Sequence, residues 1–333
     1  MPNPTAGDVH VNRPLTNIAI AYFQQATQFV ADLVFPNVPV DKQSDLYLRY
    51  DRSDFWRNQF KKRPPSTESA GGGWKIDNTA SYFCDVQALH KDIDDQIRGN
   101  TDAPINMDRD ATEYLAQQAL IAREVSWASK FFAASKWTTD IDGVSSSPST
   151  GEVLQWNDSS STPISDIKEQ ATVIHGLTGY RPNKLVVGQE VWDQLSDHGD
   201  LLDRIKYGGD SERPATVSRR AAAALFELDE VLVCGGVQVT SDENAAFETG
   251  MTRSFIEGKG ALLVYAAPRP SLLMPSGGYT FSWNGFAGAG PQGQRIKRFR
   301  MEHLESDRIE AQMAYDQKLV GADLGCYFAT IVA

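Results

Sequence analysis

Between Met107 and Trp137 the chain contains neither glycine nor proline, and Tyr114, Ile121, Val125, Ala128 and Phe132 recur at helical spacing. Asp108, Asp110 and Glu113 occupy the first turn, where carboxylates face the positive end of the helix dipole. The pattern predicts a spine helix of roughly 45 Å at about 1.5 Å per residue. Ahead of it the period changes to two. Leu46, Leu48 and Tyr50 in LYLRYDRSDFW share one side of a strand, and Tyr82, Cys84, Val86 and Ala88 in SYFCDVQAL share one face of a returning strand. Between them lies the tip NQFKKRPPSTESAGGG. Two strands with a long tip and no core of their own are marginal in water, so something else must hold them.

Residues 1–40 read as an arm carrying one amphipathic stretch, Ile18 to Val34, and leaving at FPNVPV. After the spine, DIDGVSSSPSTGEVLQWNDSSSTP is a turn-rich connector. From Ile164 the pattern alternates: a helix from Asp166 to His175 stopped by Gly176, a strand at Lys184 to Val187, and two short helices in LVVGQEVWDQLSDHGDLLDRIKYG. An alanine-rich helix, Arg219 to Leu228, leads into VLVCGGVQVT, where Gly235 and Gly236 mark a hairpin turn or a bulge. Strands ALLVYAA and YTFSW follow. Beyond Gly293 the chain is extended again, with Ile309, Ala311, Met313 and Tyr315 alternating against Arg308, Glu310, Gln312 and Asp316, and it ends in the apolar LGCYFATIVA.

The composition, 41% hydrophobic and 23% charged, is that of a folded chain, and a net charge of −11 argues against a protein that coats nucleic acid. No apolar run is long enough to span a membrane, and no membrane partner is expected. Cys84, Cys234 and Cys326 are too far apart for a zinc motif or a disulfide framework and read as buried reduced thiols. Two local basic stretches interrupt the acidity. Arg49, Arg52, Arg57, Lys61, Lys62 and Arg63 lie in the ribbon among only two acids, Asp51 and Asp54, and Arg295, Lys297, Arg298 and Arg300 lie within six residues. With only Phe299 interleaved, the second run suits the acidic faces of another copy of the chain better than a single-stranded nucleic acid.

Candidate chemistry is thin. On the first short helix Val191, Trp192 and Leu195 fall together while Glu190, Asp193 and Asp197 share the opposite face, a solvated surface with a carboxylate metal site as the alternative. His198, before Gly199, reads as a helix terminus. Gly288, Gly290 and Gly293 match GxGxxG, but a dinucleotide fingerprint must open a helix, and RIKRFRMEH reads as extended. There is no Walker A sequence and no GxSxG elbow. No catalytic residue, cofactor or metal is assigned, and the chain is read as a non-enzyme; a metal- or nucleotide-dependent enzyme using residues 164–286 is the remote alternative.

An arm, a basic hairpin, a spine helix, an α/β insertion and a return to strands, in that order, resemble the major capsid proteins of tailed double-stranded DNA bacteriophages, with their Hong Kong ninety-seven type fold. LVVGQEVWDQLSDHGDLLDRIKYG carries the sharpest local resemblance, supported by LYLRYDRSDFWRNQF and DQKLVGADLGCYFATIVA. The resemblance implies an α+β fold with an N-terminal arm at 1–45 and an extended E-loop at 46–95 lying over a neighbouring subunit. It further implies a peripheral domain at 96–163 with its spine at 107–137, an axial domain at 164–290 and peripheral C-terminal strands at 291–333. The implied function is self-assembly, through hexamers and pentamers, into an icosahedral shell around packaged DNA that is gripped weakly at most. Assembly is expected in the host bacterial cytoplasm, with portal, separate scaffold or decoration proteins as further partners. An encapsulin-type compartment shares the fold and is the nearest alternative. Some relatives crosslink subunits through a lysine; Lys61, Lys62 and Lys75 lie in the corresponding loop, but spacing selects no partner for them.

Overall fold

The computed structural model describes residues 23–101, 105–208, 217–242, 250–271, 274–285, 289–290 and 292–333. The arm supplies α1 (Ala31–Val34) and β1 (Asn37–Val40); the ribbon supplies β2 (Ser44–Leu46), β3 (Arg49–Tyr50), α2 (Arg52–Trp56), β4 (Ile76–Asp77) and β5 (Ser81–Phe83). Next come β6 (Asp85–Asp94), α3 (Asp95–Gly99), the spine α4 (Met107–Phe131), β7 (Thr139–Val144) and β8 (Glu152–Leu154). The α/β region contributes α5 (Pro163–Thr178), β9 (Lys184–Gly188), α6 (Gln189–Asp197), α7 (Gly199–Gly208), α8 (Arg219–Phe226), β10 (Glu230–Cys234), β11 (Val237–Val239), β12 (Arg253–Phe255) and β13 (Ala261–Val264). The chain finishes with β14 (Gly278–Trp283), β15 (Gln294–Met301), β16 (Ser306–Leu319) and β17 (Gly325–Ala329).

Two sheets organise these elements. The six-stranded sheet has the order β10-β9-β13-β17-β7-β8. Its central strands read as unbroken apolar runs because both faces are covered. Leu185, Val187, Val231, Val233, Leu263 and Phe328 face the helices α5 to α8 in one core, together with Trp156, Ile167, Val191 and Phe226. The alternate residues Val186, Leu232, Leu262, Val264 and Tyr327 face the other way, against Trp127, Phe131 and Phe132 at the end of the spine and Val30, Val34 and Phe35 of the arm. The second sheet is built on β16, which pairs along one edge with β15 and then β14, and along the other with β6, all antiparallel. β1 adds in parallel outside β14. Ile93 and Ile309 of this sheet meet Ala111 and Leu115 of the spine.

Several expectations are revised. β7, β8 and β17 belong to the same sheet as β9, β10 and β13, whereas β14 joins β16, so the boundaries drawn at 164, 290 and 291 do not follow sheet membership. Periodicity marks a strand but not its neighbour. Gly235 and Gly236 do not close a hairpin between β10 and β11: β10 pairs with β9, and β11 pairs with β12 in a separate ribbon. The spine stops at Phe131, and the chain turns so that Trp137 Nε1 donates to Phe131 O at 2.7 Å. Its length is therefore about 37 Å. Its fully buried positions are Ala111, Leu115, Arg123, Glu124, Trp127 and Phe131, a face rotated from the expected stripe because two charged residues sit on it. α5 runs past Gly176 to Thr178 and ends at Gly179, whose left-handed φ of 72° is the actual stop. Of the amphipathic stretch Ile18 to Val34 in the arm, residues 18–22 lie outside the described residues, and within the remainder the α-helix α1 covers Ala31–Val34.

These placements distinguish two glycines. A Cβ on Gly188 would lie 1.8 Å from the backbone oxygen of Gly258, which cannot swing aside, while a Cβ on Gly176 meets nothing within 4 Å. Gly188→Ala is expected to destabilise the purified chain by about 1–3 kcal/mol through overpacking. Gly176→Ala, in an exposed helix interior, should stabilise it by up to about 1 kcal/mol. Urea unfolding of both variants checks the contrast.

Candidate assembly surfaces

The ribbon is held by few bonds. β2 pairs with β5 over three residues and β3 with β4 over two. Between them, Asp51 accepts from the Ser53 N–H at 2.9 Å and starts α2, so the stretch after Tyr50 turns into a one-turn helix. The Asp51 cap was the signal available in the sequence. Phe55 packs edge-on to Tyr50 and near Trp74, yet Leu46, Leu48, Phe55, Trp56, Trp74 and Ile76 are each at least half exposed, and Phe60 is 98% exposed. Exposed large apolar side chains gathered on one element in this way are what a contact surface would use. The ribbon is not wholly detached from its own body: Arg52 pairs with Asp323 and donates to Leu177 O at 3.4 Å. At its root, Tyr82 stacks on Phe281 with ring centroids 4.6 Å apart, beside the buried Cys84.

The ribbon cations divide into two groups. Arg49 lies 4.0 Å from Asp77, Arg52 is engaged as above, and Arg63 donates to Thr67 O. Arg57, Lys61 and Lys62 are exposed and make no ion pair among the described residues. The cations of β15 are different. Arg298 pairs with Asp307 at 2.8 Å and with Asp108 at 3.4 Å; Arg98 reaches the same two carboxylates at 2.7 and 3.1 Å. Arg300 binds Asp95 with both terminal nitrogens, at 2.7 and 2.5 Å. Lys297 lies 4.0 Å from Glu310, and Arg295 Nε donates to Gln312 Oε1 at 2.7 Å. The charge expected to seek another copy is thus met largely within the chain, where it ties the β15–β16 hairpin to α3 and the first turn of the spine. The carboxyl of Asp307 is held down at about 2 by hydrogen bonds from Arg298 and Arg98.

Glu190, Asp193 and Asp197 are exposed on α6, with Val191 and Leu195 beneath them. Among the described residues, their carboxylates join no set of three potential metal-ligand atoms within 4.8 Å. Asp193 accepts from Gln189 Nε2 at 2.7 Å. His198 ends the helix: its Nδ1 accepts the Asp200 N–H at 3.2 Å, and its Nε2–H reaches Asp158 O at 3.2 Å. Gly288 of the GxGxxG match lies outside the described residues; Gly293, at a φ of 66°, turns the chain into strand β15 instead of a helix. All three cysteines are buried and free. Among the described residues, no helix is long and apolar enough to cross a membrane.

Sequence reasoning missed the clamp on the arm. Glu124 in mid-spine accepts the N–H groups of Val30 and Ala31, both at 2.8 Å, at the start of α1, and Arg123 pairs with Asp32 at 2.7 Å. Arg123 also lies over the Tyr315 ring at 4.9 Å. Two consecutive charged residues on a helix otherwise read as amphipathic gave no sign of which side they face.

The arm, ribbon, spine and two sheets together form the Hong Kong ninety-seven type fold of phage capsids. The chain superposes with a TM-score of 0.66 on a phage-related protein from Bordetella bronchiseptica, at 19% identity, covering 93% of this chain and 94% of that one. It matches the mature capsid of bacteriophage PhiM1 with a TM-score of 0.57, at 11% identity and coverage of 97% and 92%. It also matches the SrpI encapsulin of Synechococcus elongatus with a TM-score of 0.53, at 10% identity and coverage of 96% and 95%. In sequence, it is similar to the major capsid protein of Burkholderia phage BcepMu, 21% identical over 328 residues, covering 95% of this chain and 94% of the relative. A second relative is the major capsid protein of Pseudomonas phage JBD67, 24% identical over 331 residues, with 97% of each chain covered. No protein-family model matches the chain.

The Asp307 carboxylate gives a pH signature. Because its folded pKa is depressed, the stability it contributes is present above the ordinary carboxylate value of 3.8 and is lost as pH falls through about 2. Asp307→Asn should therefore melt below the wild type at neutral pH, with the difference closing as the pH is lowered towards 2. Thermal melts at a series of pH values test this.

Proposed function

We propose that this chain is the major capsid subunit of a tailed phage or prophage, many copies of which close into an icosahedral shell around packaged double-stranded DNA. The observation that carries the reading is the ribbon: a two-stranded projection on which Phe55, Trp56, Phe60 and Trp74 are each more than half exposed on their own chain. Laid over a neighbouring subunit, Phe60, Trp74 and Ile76 would lose their exposure to water, at roughly 25 cal/mol for each Å² of apolar surface removed. Arg57, Lys61 and Lys62 would then meet the acidic surface that a chain of net charge −11 offers. The exposed Glu190, Asp193 and Asp197 on α6 suit such a surface. Identical contacts repeated around a closed lattice make each modest interface sufficient, because one subunit can leave only by breaking several.

On this reading the unit built on β16 and the spine is peripheral, the six-stranded unit is axial and meets its copies around fivefold and sixfold axes, and the role is structural rather than catalytic. The overall negative charge suits a lining that holds DNA without gripping it, since neutralising many phosphates would bind strongly. Assembly would take place in the host cytoplasm, with a portal protein among the partners of the shell. Encapsulin likeness is a likeness of fold; both sequence relatives are phage proteins, which favours a genome over an enzyme cargo.

Negative-stain electron microscopy of the purified wild type should show closed shells or capsomer rings. Phe60→Asp combined with Trp74→Asp should leave secondary structure and melting unchanged, since both side chains are exposed, and should abolish assembly. A wild type that stays monomeric at every concentration, or a double variant that assembles normally, overturns the reading.

A further inference from the structure

Behind the arm lies a chemical grouping that assembly does not require. Glu124 of the spine, Cys234 at the end of β10 and Glu257 in the loop between β12 and β13 bring one carboxylate oxygen, the sulfur and a second carboxylate oxygen within 4.8 Å of one another, all buried. Glu257 is 1% exposed, and no N–H or O–H of another residue donates to either of its oxygens among the described residues. Cys84 and Cys326 each have a hydrogen-bond acceptor, Phe281 O and Gln170 Oε1, whereas the Cys234 sulfur has none among the described residues. Among the described residues, the cation whose charge reaches the sulfur is Arg219, at the exposed start of α8, and the guanidinium of Arg123 is committed to Asp32.

Two buried carboxyl groups side by side cannot both remain ionised without something between them. A proton is one solution and a metal ion is the other. Burial and the neighbouring Glu124 push the Glu257 carboxyl up, and burial pushes the Cys234 thiol up, so in the absence of a cation both hold their protons. A shared proton satisfies the two carboxyls but leaves the sulfur without a role. We propose that Glu124, Cys234 and Glu257 form a structural site for a thiophilic divalent cation of the zinc class, which fastens the arm, the spine and the six-stranded sheet together.

A thiolate among the donors favours zinc over magnesium or calcium. A tetrahedral zinc ion needs its donors about 3.5 Å apart, which lies inside the observed reach, and the second oxygen of Glu257 or a water completes the set. On binding, the ion displaces the Cys234 thiol proton and the proton shared by the carboxyls to solvent, so occupancy rises with pH. Because Glu124 also receives the N–H groups of Val30 and Ala31, the ion is coupled to the docking of the arm. The site lies within one chain and does not depend on assembly.

The test uses the full chain, stripped with chelator and titrated with Zn2+ or Co2+. Elemental analysis should find about one Zn2+ per chain, and Co2+ should give a thiolate charge-transfer band in the near ultraviolet. Cys234→Ser should abolish that band, Cys84→Ser should leave it unchanged, and Glu257→Gln should weaken Zn2+ binding at least tenfold, as expected for loss of a ligand. Zn2+ should raise the melting temperature of the wild type and not that of Cys234→Ser. A folded wild type with no stoichiometric Zn2+ and no band overturns the proposal, as does a band that survives Cys234→Ser. Glu257→Gln that is more stable than a metal-free wild type would assign the pair to a shared proton and also overturn it.

Discussion

The architecture hangs on the fourteen residues of β16. One edge of that strand carries β15 and β14 in succession and the other carries β6, so a single extended segment satisfies the inner hydrogen bonds of three partners. The spine helix rests on it through Leu115 and Ile309, and the ribbon grows from its far edge through β6. A long central strand of this kind makes the ribbon's root rigid even though the ribbon has almost no core. Removing β16 would leave the spine without a floor and the ribbon without an anchor.

From that root the ribbon reaches outward with Phe55, Phe60 and Trp74 largely uncovered, while Lys297, Arg298 and Arg300 of β15 in the body it leaves are met by carboxylates of the same chain. The two facts belong together. Arg298, Arg300, Arg98, Asp307, Asp108 and Asp95 form a closed network that pins the β15–β16 hairpin to α3 and the spine, so these residues define the shape of the body and leave little charge over for a partner. Arg57, Lys61 and Lys62, by contrast, sit on the least supported part of the chain with nothing to neutralise them among the described residues. Charge that shapes the subunit and charge that is free for contact are thereby separated along the fold.

Much of this organisation was legible in the order of patterns. The glycine-free run gave the spine, the long tip between period-two segments gave a ribbon without a core, and the alternation from Ile309 to Tyr315 gave β16. What could not be read was pairing. β17 is apolar on both sides because it is buried in the middle of a sheet, but nothing in GCYFA says that its neighbours are β13 and β7, the latter some 180 residues earlier in the chain. The phase of the spine was misjudged for a related reason: Arg123 and Glu124 carry their charge inward, where long-range partners in the arm meet it, and a periodicity argument assigns such residues to water. Gly176 and Gly179 show the limit of local signals, since both are plausible stops and only the second adopts the left-handed backbone that ends a helix.

The place of β17 between β13 and β7 also governs when the molecule can become itself. During synthesis the helices α5 to α8 and the strands β7 to β10 emerge first, yet the sheet they pack on stays split into two halves until Gly325–Ala329 have left the ribosome and slid into the gap. A chain lacking β17 therefore presents the inner edges of β13 and β7, which β17 covers once it is in place. Such a late keystone separates unfinished chains from mature ones by their shape alone.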